Sequence, residues 1–299
     1  MKKLILLLIT ILATMSILGC SSLFGKDTNT VIIGGKNFTE QDILIYLMKG
    51  VIEKNTNLKV ETKAYLGGTS VVAQAIERGD LDIYAEYTGT ALVNILGEEY
   101  VAPSSSEFVY EKVKKLYAEK KQIIWMKPLG FSNAYTLAMR ADQANALSIQ
   151  SMSDLAKQSG TLQLGATHEF LERVDGYENV KSIYDMKFES PAGMEPGLTY
   201  AACRDGNVDV IDAFSTDGRI IAFNLKVLDD DKHAFPPFDA APLVRADTLK
   251  LHPEIADALN LLAGKINNEE MSKLNAKVDL DGKSPNVVAN EWLSDNGFL

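Results

Sequence analysis

The sequence predicts a two-lobed α/β protein, and two observations predict it. A strand–glycine–helix pattern near the amino end returns in the middle of the chain, and two apolar, extended stretches flank the second copy. Short strands alternating with amphipathic helices mark parallel sheets built from βαβ units, and two such units in one chain mark two lobes.

The amino end comes first. Lys2 and Lys3 form a basic start, and Leu4 to Ile17 is an apolar run interrupted only by Thr10, Thr14 and Ser16. Ile17-Leu18-Gly19-Cys20 closes it. This layout predicts a secretory signal over residues 1–19, too short for a spanning helix, which needs about 20 apolar residues. A small residue directly before a cysteine resembles a bacterial lipobox, with Ile17 where Leu is commoner, so Cys20 is expected to be the lipidated first residue of the mature protein. Residues 20–30 are polar and without periodicity, and read as a tether between anchor and body.

The body begins at Val31 and holds roughly 270 residues, enough for two compact lobes. Val31-Ile32-Ile33-Gly34 reads as a strand, Thr39-Glu40-Gln41 as a helix start capped by Thr39, and Ile43, Leu44, Leu47, Met48 and Val51 as the helix's apolar face. Leu162-Gln163-Leu164-Gly165 followed by Thr167-His168-Glu169 repeats this. Leu58 to Tyr65 and Met186 to Ser190 read as second strands. The closest match is Gly79-Asp80-Leu81-Asp82-Ile83-Tyr84-Ala85-Glu86-Tyr87-Thr88 against Gly206-Asn207-Val208-Asp209-Val210-Ile211-Asp212-Ala213-Phe214-Ser215, where Gly, Asp and an aromatic–hydroxyl pair recur at the same offsets. Pro128 to Arg140 and Phe235 to Arg245 read as extended crossovers, and two crossovers make a hinge. Residues 31–132 with 239–299 then form one lobe and 133–238 the other. The tail from Pro253 reads as helical, with Leu259, Leu261, Leu262 and Ile266 as its core stripe, packed on the first lobe.

Composition excludes several classes. Net charge is −10, and −12 once Lys2 and Lys3 leave with the signal, which suits nucleic acid poorly. Besides Cys20 only Cys203 is present, so no internal disulfide is expected, and Cys203 reads as a buried structural thiol. His168, His233 and His252 lack metal-ligand spacing, and no nucleotide-binding or nucleophile-elbow motif occurs. No cofactor and no metal are expected.

In open α/β sheets, ligands sit beyond the carboxyl ends of the strands. Tyr87, Tyr135, Phe214 and Phe238 cluster where the repeat and crossovers place that edge. Aromatic faces around one space attract a trimethylammonium group, each good contact contributing roughly 0.5–2 kcal/mol; by spacing alone the same rings also fit core packing. Lys36, after the strand-ending glycines, and Arg173 are candidates to grip a carboxylate, or solvated surface charges.

Four segments carry a family resemblance: Gly35-Lys36-Asn37-Phe38-Thr39-Glu40-Gln41, Tyr84-Ala85-Glu86-Tyr87-Thr88-Gly89-Thr90, Asp212-Ala213-Phe214-Ser215-Thr216-Asp217-Gly218-Arg219 and Phe235-Pro236-Pro237-Phe238. Together they resemble osmoprotectant-binding proteins that serve ABC importers of glycine betaine, carnitine and choline. The resemblance implies a type II periplasmic-binding fold whose two lobes close on the ligand. It places Tyr87, Tyr135, Phe214 and Phe238 in an aromatic cage, Lys36, Thr90 and Arg173 at a ligand carboxylate, and the Asn133 backbone carbonyl near the cation. The family cage is commonly all tyrosine, so Phe214 and Phe238 are departures, as is Ala85 where proline is usual. Permease subunits with a cytoplasmic ATPase are the implied partners, the membrane is reached through the lipid alone, and no catalysis is expected. Ergothioneine is a variant ligand. A cleft enzyme (a lyase or hydrolase using Glu86, Glu195 or Asp217) and a ligand sensor are the readings from other classes.

Overall fold

Two five-stranded mixed sheets organise the protein, whose computed structural model describes residues 29–299. The signal, the Cys20 anchor and most of the tether lie outside the described residues. In the first sheet the order is β2 (Lys59–Lys63), β1 (Thr30–Gly34), β3 (Ile83–Tyr87), β10 (Ala240–Arg245) and β4 (Ile123–Trp125). In the second it is β7 (Ala192–Met194), β6 (Leu164–Thr167), β8 (Val210–Phe214), β5 (Tyr135–Arg140) and β9 (Leu225–Val227). The sheets share one topology. β1 runs parallel to β3 and β6 to β8, while β10 and β5 run antiparallel to their neighbours.

The antiparallel strand of each sheet is the one that enters from the other sheet. β5 follows the first crossover and β10 the second. The crossovers lie against each other: Ser132 and Asp239 form an antiparallel bridge, Asn133 N donates to Phe238 O at 3.0 Å, and Ala240 N donates to Phe131 O at 3.1 Å. A hinge of paired chain segments joins the lobes.

The recurring residues of the repeat have structural reasons. Asp82 accepts from Ile32 N at 2.8 Å and Asp209 accepts from Gln163 N at 2.8 Å, so each acid ties the edge of one strand to the start of its neighbour. Thr88 Oγ1 donates to Pro237 O and accepts from Asp239 N; Ser215 Oγ donates to Ser132 O and accepts from Ala134 N. Each hydroxyl thus fixes the end of β3 or β8 to a crossover, and the aromatic just before it, Tyr87 or Phe214, closes its strand there.

Around the first sheet, α1 (Thr39–Asn55) buries Ile43, Leu44, Leu47, Met48 and Val51, and α6 (Glu254–Asn260), α7 (Asn268–Asp279) and α8 (Pro285–Asp295) pack on it. Between α1 and α6 in the chain, α2 (Thr69–Arg78) and α3 (Ser106–Lys121) pack with the first sheet, and α4 (His168–Glu172) and α5 (Leu198–Arg204) with the second. Cys203 on α5 is buried, and burial pushes its thiol up to about 11. No helix among the described residues is long and apolar enough to cross a membrane.

Four details differ from expectation. Thr39 does not cap α1: Phe38 holds the cap position without a side-chain bond, and the Thr39 hydroxyl donates to Asp279 at 2.6 Å. Thr167 does cap α4, accepting from Phe170 N. β6 starts at Leu164 because a tight turn, Ser159–Thr161, reaches up to Leu162 and Asp209 occupies the Gln163 amide. Met186 to Ser190 is not a strand; Met186 and Phe188 are buried in the apolar core, and the paired strand is β7. Leu261 turns outward while Leu259, Leu262 and Ile266 are buried.

The first crossover turns at Gly130, whose φ is +114° and where a Cβ would meet Ile266 O at 2.8 Å and Gly264 Cα at 2.9 Å. Gly130→Ala is expected to lower unfolding free energy by about 1–3 kcal/mol, as backbone strain and a close contact combine. Urea denaturation checks it, and an unchanged midpoint contradicts the constraint.

Candidate functional site

A cavity of about 490 Å³ lies between the sheets at the crossovers, and all eight residues singled out from the sequence line it. β1 ends in Gly34 and leads through Gly35 to Lys36, β3 delivers Tyr87, and the short turn of helix after it delivers Thr90. From the second lobe come Tyr135 at the start of β5, Phe214 at the end of β8, and Arg173 just past α4. Asn133 and Phe238 come from the crossovers themselves. Register explains why the rings meet: Tyr135 pairs with Phe214 across β5 and β8, while Tyr87 pairs with Ala240, two residues beyond Phe238.

The rings form a continuous series. Tyr135 lies 4.9 Å from Phe214 and 5.8 Å from Phe238 between centroids. Phe38, just before α1, stacks on Phe214 at 5.6 Å with planes 7° apart and reaches Tyr87 at 6.3 Å. Phe38 is therefore a fifth ring lining the cavity, bridging the lobes. It has no counterpart in the repeat, where Ala166 precedes Thr167, so matching the copies passes over it; its signal in the sequence is an aromatic directly before a helix at the sheet edge.

Both basic residues are buried and paired. Lys36 Nζ sits 2.6 Å from Glu86 Oε1, donates to Thr69 Oγ1 at 3.0 Å, and lies 5.2 Å from the Tyr87 centroid. Arg173 grips Asp175 through Nε and Nη2, both at 2.8 Å, donates from Nη2 to Thr90 Oγ1 at 3.2 Å, and stacks 4.7 Å from the Tyr135 centroid. The surface-charge alternative is thus excluded for both. Each keeps donor capacity, since Lys carries three N–H groups and Arg five.

Bonds cross between the lobes at this wall. Thr90 meets Arg173, Asn94 Nδ2 donates to Asp175 Oδ1 at 2.7 Å, and Thr69 N donates to Glu169 Oε1 at 3.3 Å. Burial works to raise the Glu169 carboxyl, but Lys36, the Thr69 bonds and Arg173 outweigh it and leave it below the ordinary value.

Behind Tyr87 lies a second polar centre that sequence reasoning missed. Glu40 is buried and accepts from Tyr87 OH at 2.7 Å, Asn133 Nδ2 at 2.9 Å, Asn275 Nδ2 at 3.2 Å and Thr216 Oγ1. Burial raises its pKa, and the four donors oppose that. In the sequence it stands only as part of the helix start Thr39-Glu40-Gln41. Asn133, its amide donor given to Glu40, keeps a buried amide oxygen with no partner among the described residues.

Comparison with known proteins gives the family and the fold. The model of the family described as the substrate binding domain of ABC-type glycine betaine transport systems matches residues 29–295. The chain is 40% identical over 304 residues to the carnitine transport binding protein OpuCC of Listeria monocytogenes, covering 100% of this chain and 98% of that protein. It is 35% identical to the ergothioneine transport permease/ergothioneine binding protein EgtU of Helicobacter pylori, covering 90% of this chain and 48% of that one. Its fold matches a crystal structure of a glycine betaine/carnitine/choline ABC transporter with a TM-score of 0.75 and 33% identity, covering 90% of this chain and 99% of that chain.

Removing one partner of a buried ion pair strands the other charge, at a cost of about 3–5 kcal/mol. Lys36→Met is therefore expected to lower stability by about that amount, less whatever Glu86 recovers by taking a proton, and Lys36→Met with Glu86→Gln to recover most of the loss. Thermal and urea unfolding of the two variants check this; equal loss in both contradicts the coupling.

Proposed function

Since this chain belongs to the family of substrate binding domains of ABC-type glycine betaine transport systems, we propose that it captures a small quaternary-ammonium compound between its lobes and presents it to the permease of an ABC importer. Glycine betaine, carnitine and choline are the leading ligands. The observation that carries this reading is the series of rings around the cavity: Tyr87, Tyr135, Phe214 and Phe238, with Phe38 among them. A methylated ammonium offers no N–H to hydrogen-bond, so ring faces in a dry space are its natural partners.

The other end of a zwitterion meets Lys36, Thr90 and Arg173. Both cations already have anionic partners, so their remaining N–H donors, more than net positive charge, would hold a carboxylate. They lie only 5.2 Å and 4.7 Å from the centroids of cage rings, a spacing that suits compact zwitterions. Asn133 contributes acceptor oxygens beside the cation, its backbone carbonyl and its unpartnered amide oxygen. Residues 31–132 with 239–299 act as one lobe and 133–238 as the other, closing on the ligand through contacts that require both.

We read the cleft as binding without turnover. Of the carboxylates an enzyme would use, Glu86 is held by Lys36 and Asp217 by Arg219 at 2.9 Å, while Glu195 lines the cavity without a paired acid or base among the described residues. Ergothioneine is the second ligand reading, favoured by the similarity to EgtU. Lipidation at Cys20 places the protein outside the cytoplasm, held to the membrane by its lipid. Cys20→Ser is expected to move the protein from the membrane fraction to the soluble fraction, and persistence on the membrane contradicts the anchor.

Isothermal titration of residues 21–299 with glycine betaine, carnitine, choline, ergothioneine and glycine tests the cage. Saturable binding of a methylated compound, none of glycine, and recovery of the ligand unchanged are expected. Phe214→Ala should weaken that binding by about tenfold or more without unfolding the protein. Arg173→Ala should weaken glycine betaine and carnitine more than choline, which lacks a carboxylate. Undiminished affinity in the first variant removes the cage, and equal losses in the second remove the carboxylate role.

A further inference from the structure

The buried cations of the cavity wall are matched with acids. Lys36 faces Glu86, and Arg173 faces Asp175 with Glu169 beside it. Glu40 has only neutral partners among the described residues: Tyr87, Asn133, Thr216 and Asn275. Oε1 takes the Tyr87 hydroxyl and the Asn133 amide, while Oε2 takes the Thr216 hydroxyl and the Asn275 amide. Four donors fill the roughly four lone-pair sites of a carboxylate, and an amide nitrogen cannot turn to accept. These donors favour the ionised form, against the burial that raises the Glu40 pKa. Its place in the first turn of α1, at the positive end of the helix, favours that form further.

Two of these partners are walls of the cavity, and Thr216 comes from the opposite lobe. Gln41 Nε2 donates to the same Tyr87 hydroxyl at 3.0 Å, so that hydroxyl can satisfy both neighbours only by giving its own proton to Glu40. A phenol donating to a carboxylate holds its ring in one orientation and adds electron density to it. In a dry site an anion one hydrogen bond behind the ring also acts on a cation before it with little screening.

Resting on the quaternary-ammonium reading above, we propose that Glu40 is the fixed anion of the cage: a positioning residue that orients Tyr87 and Asn133 and supplies the negative potential by which the site prefers a cation over a neutral group of the same shape. The rings attract the methylated cation and set its size; Glu40 adds to the preference for charge.

The test compares each ligand with its carbon isostere, in which a quaternary carbon replaces nitrogen. The pairs are choline with 3,3-dimethylbutan-1-ol and glycine betaine with 3,3-dimethylbutanoate, titrated into wild type, Glu40→Gln and Glu40→Asp. Glu40→Gln is expected to weaken the cationic member by about tenfold or more while the isostere stays within about twofold. A purely structural role predicts equal loss of both members, and that result, or no loss of either, overturns the proposal. Should Glu40→Gln melt too low to titrate, Glu40→Asp decides: its charge is drawn back from Tyr87, so the cation is expected to weaken by about threefold or more relative to the isostere, and an unchanged ratio overturns the proposal. Wild-type protein that binds no methylated cation would instead remove the reading beneath it.

Discussion

Everything at the cavity depends on two hydroxyls that fasten strand ends to the crossovers. Thr88 and Ser215 occupy equivalent places in the repeat, and each donates to a carbonyl and accepts from the amide two residues further along the opposing segment. That geometry fixes where β3 and β8 stop. It therefore fixes where Tyr87 and Phe214 stand, and, through the strand register, where Tyr135 meets Phe214. The crossovers are paired with each other as well as anchored at both ends, so the hinge and the cage are built from the same short stretch of chain. A ligand seated on the rings touches the joint on which the lobes would turn.

The electrostatics follow a similar economy. A cavity meant for a zwitterion needs donors for one end and electron-rich surface for the other, yet buried bare charges are costly. Here each buried cation carries an acid with it, Glu86 for Lys36 and Asp175 for Arg173. Several of these links also span the lobes, through Thr90, Asn94 and Thr69. The groups that would recognise a ligand are thus the same groups that bind one half of the molecule to the other.

Much of the architecture was legible in the sequence because the chain says it twice. The Gly–Asp–aromatic–hydroxyl pattern predicted β3 and β8 at matching offsets, and the recurring Asp and hydroxyl each proved to make an equivalent bond in its own lobe. What was not legible lies where the copies differ or where burial, not residue type, decides. Phe38 has no partner in the second copy. Glu40 passes unmarked at the helix start, because its partners Asn275 and Thr216 come from the tail helix and the second lobe. The strand expected at Met186 to Ser190 failed because apolar residues there serve the core, and pairing passes to the short, glycine-containing β7. Local pattern predicts local structure; contacts between distant segments carry no local mark.

The buried sulfhydryl of Cys203 has a practical consequence. Reactivity belongs to the thiolate, and a thiol enclosed in α5 and pushed up to about 11 offers almost none at neutral pH. In a soluble form beginning at Ser21 no other cysteine is present. A single cysteine introduced at each of two exposed sites, one per lobe, would then take spectroscopic labels with little competition from the native residue. Any opening and shutting of the lobes could be followed by the distance between the two labels without first removing Cys203.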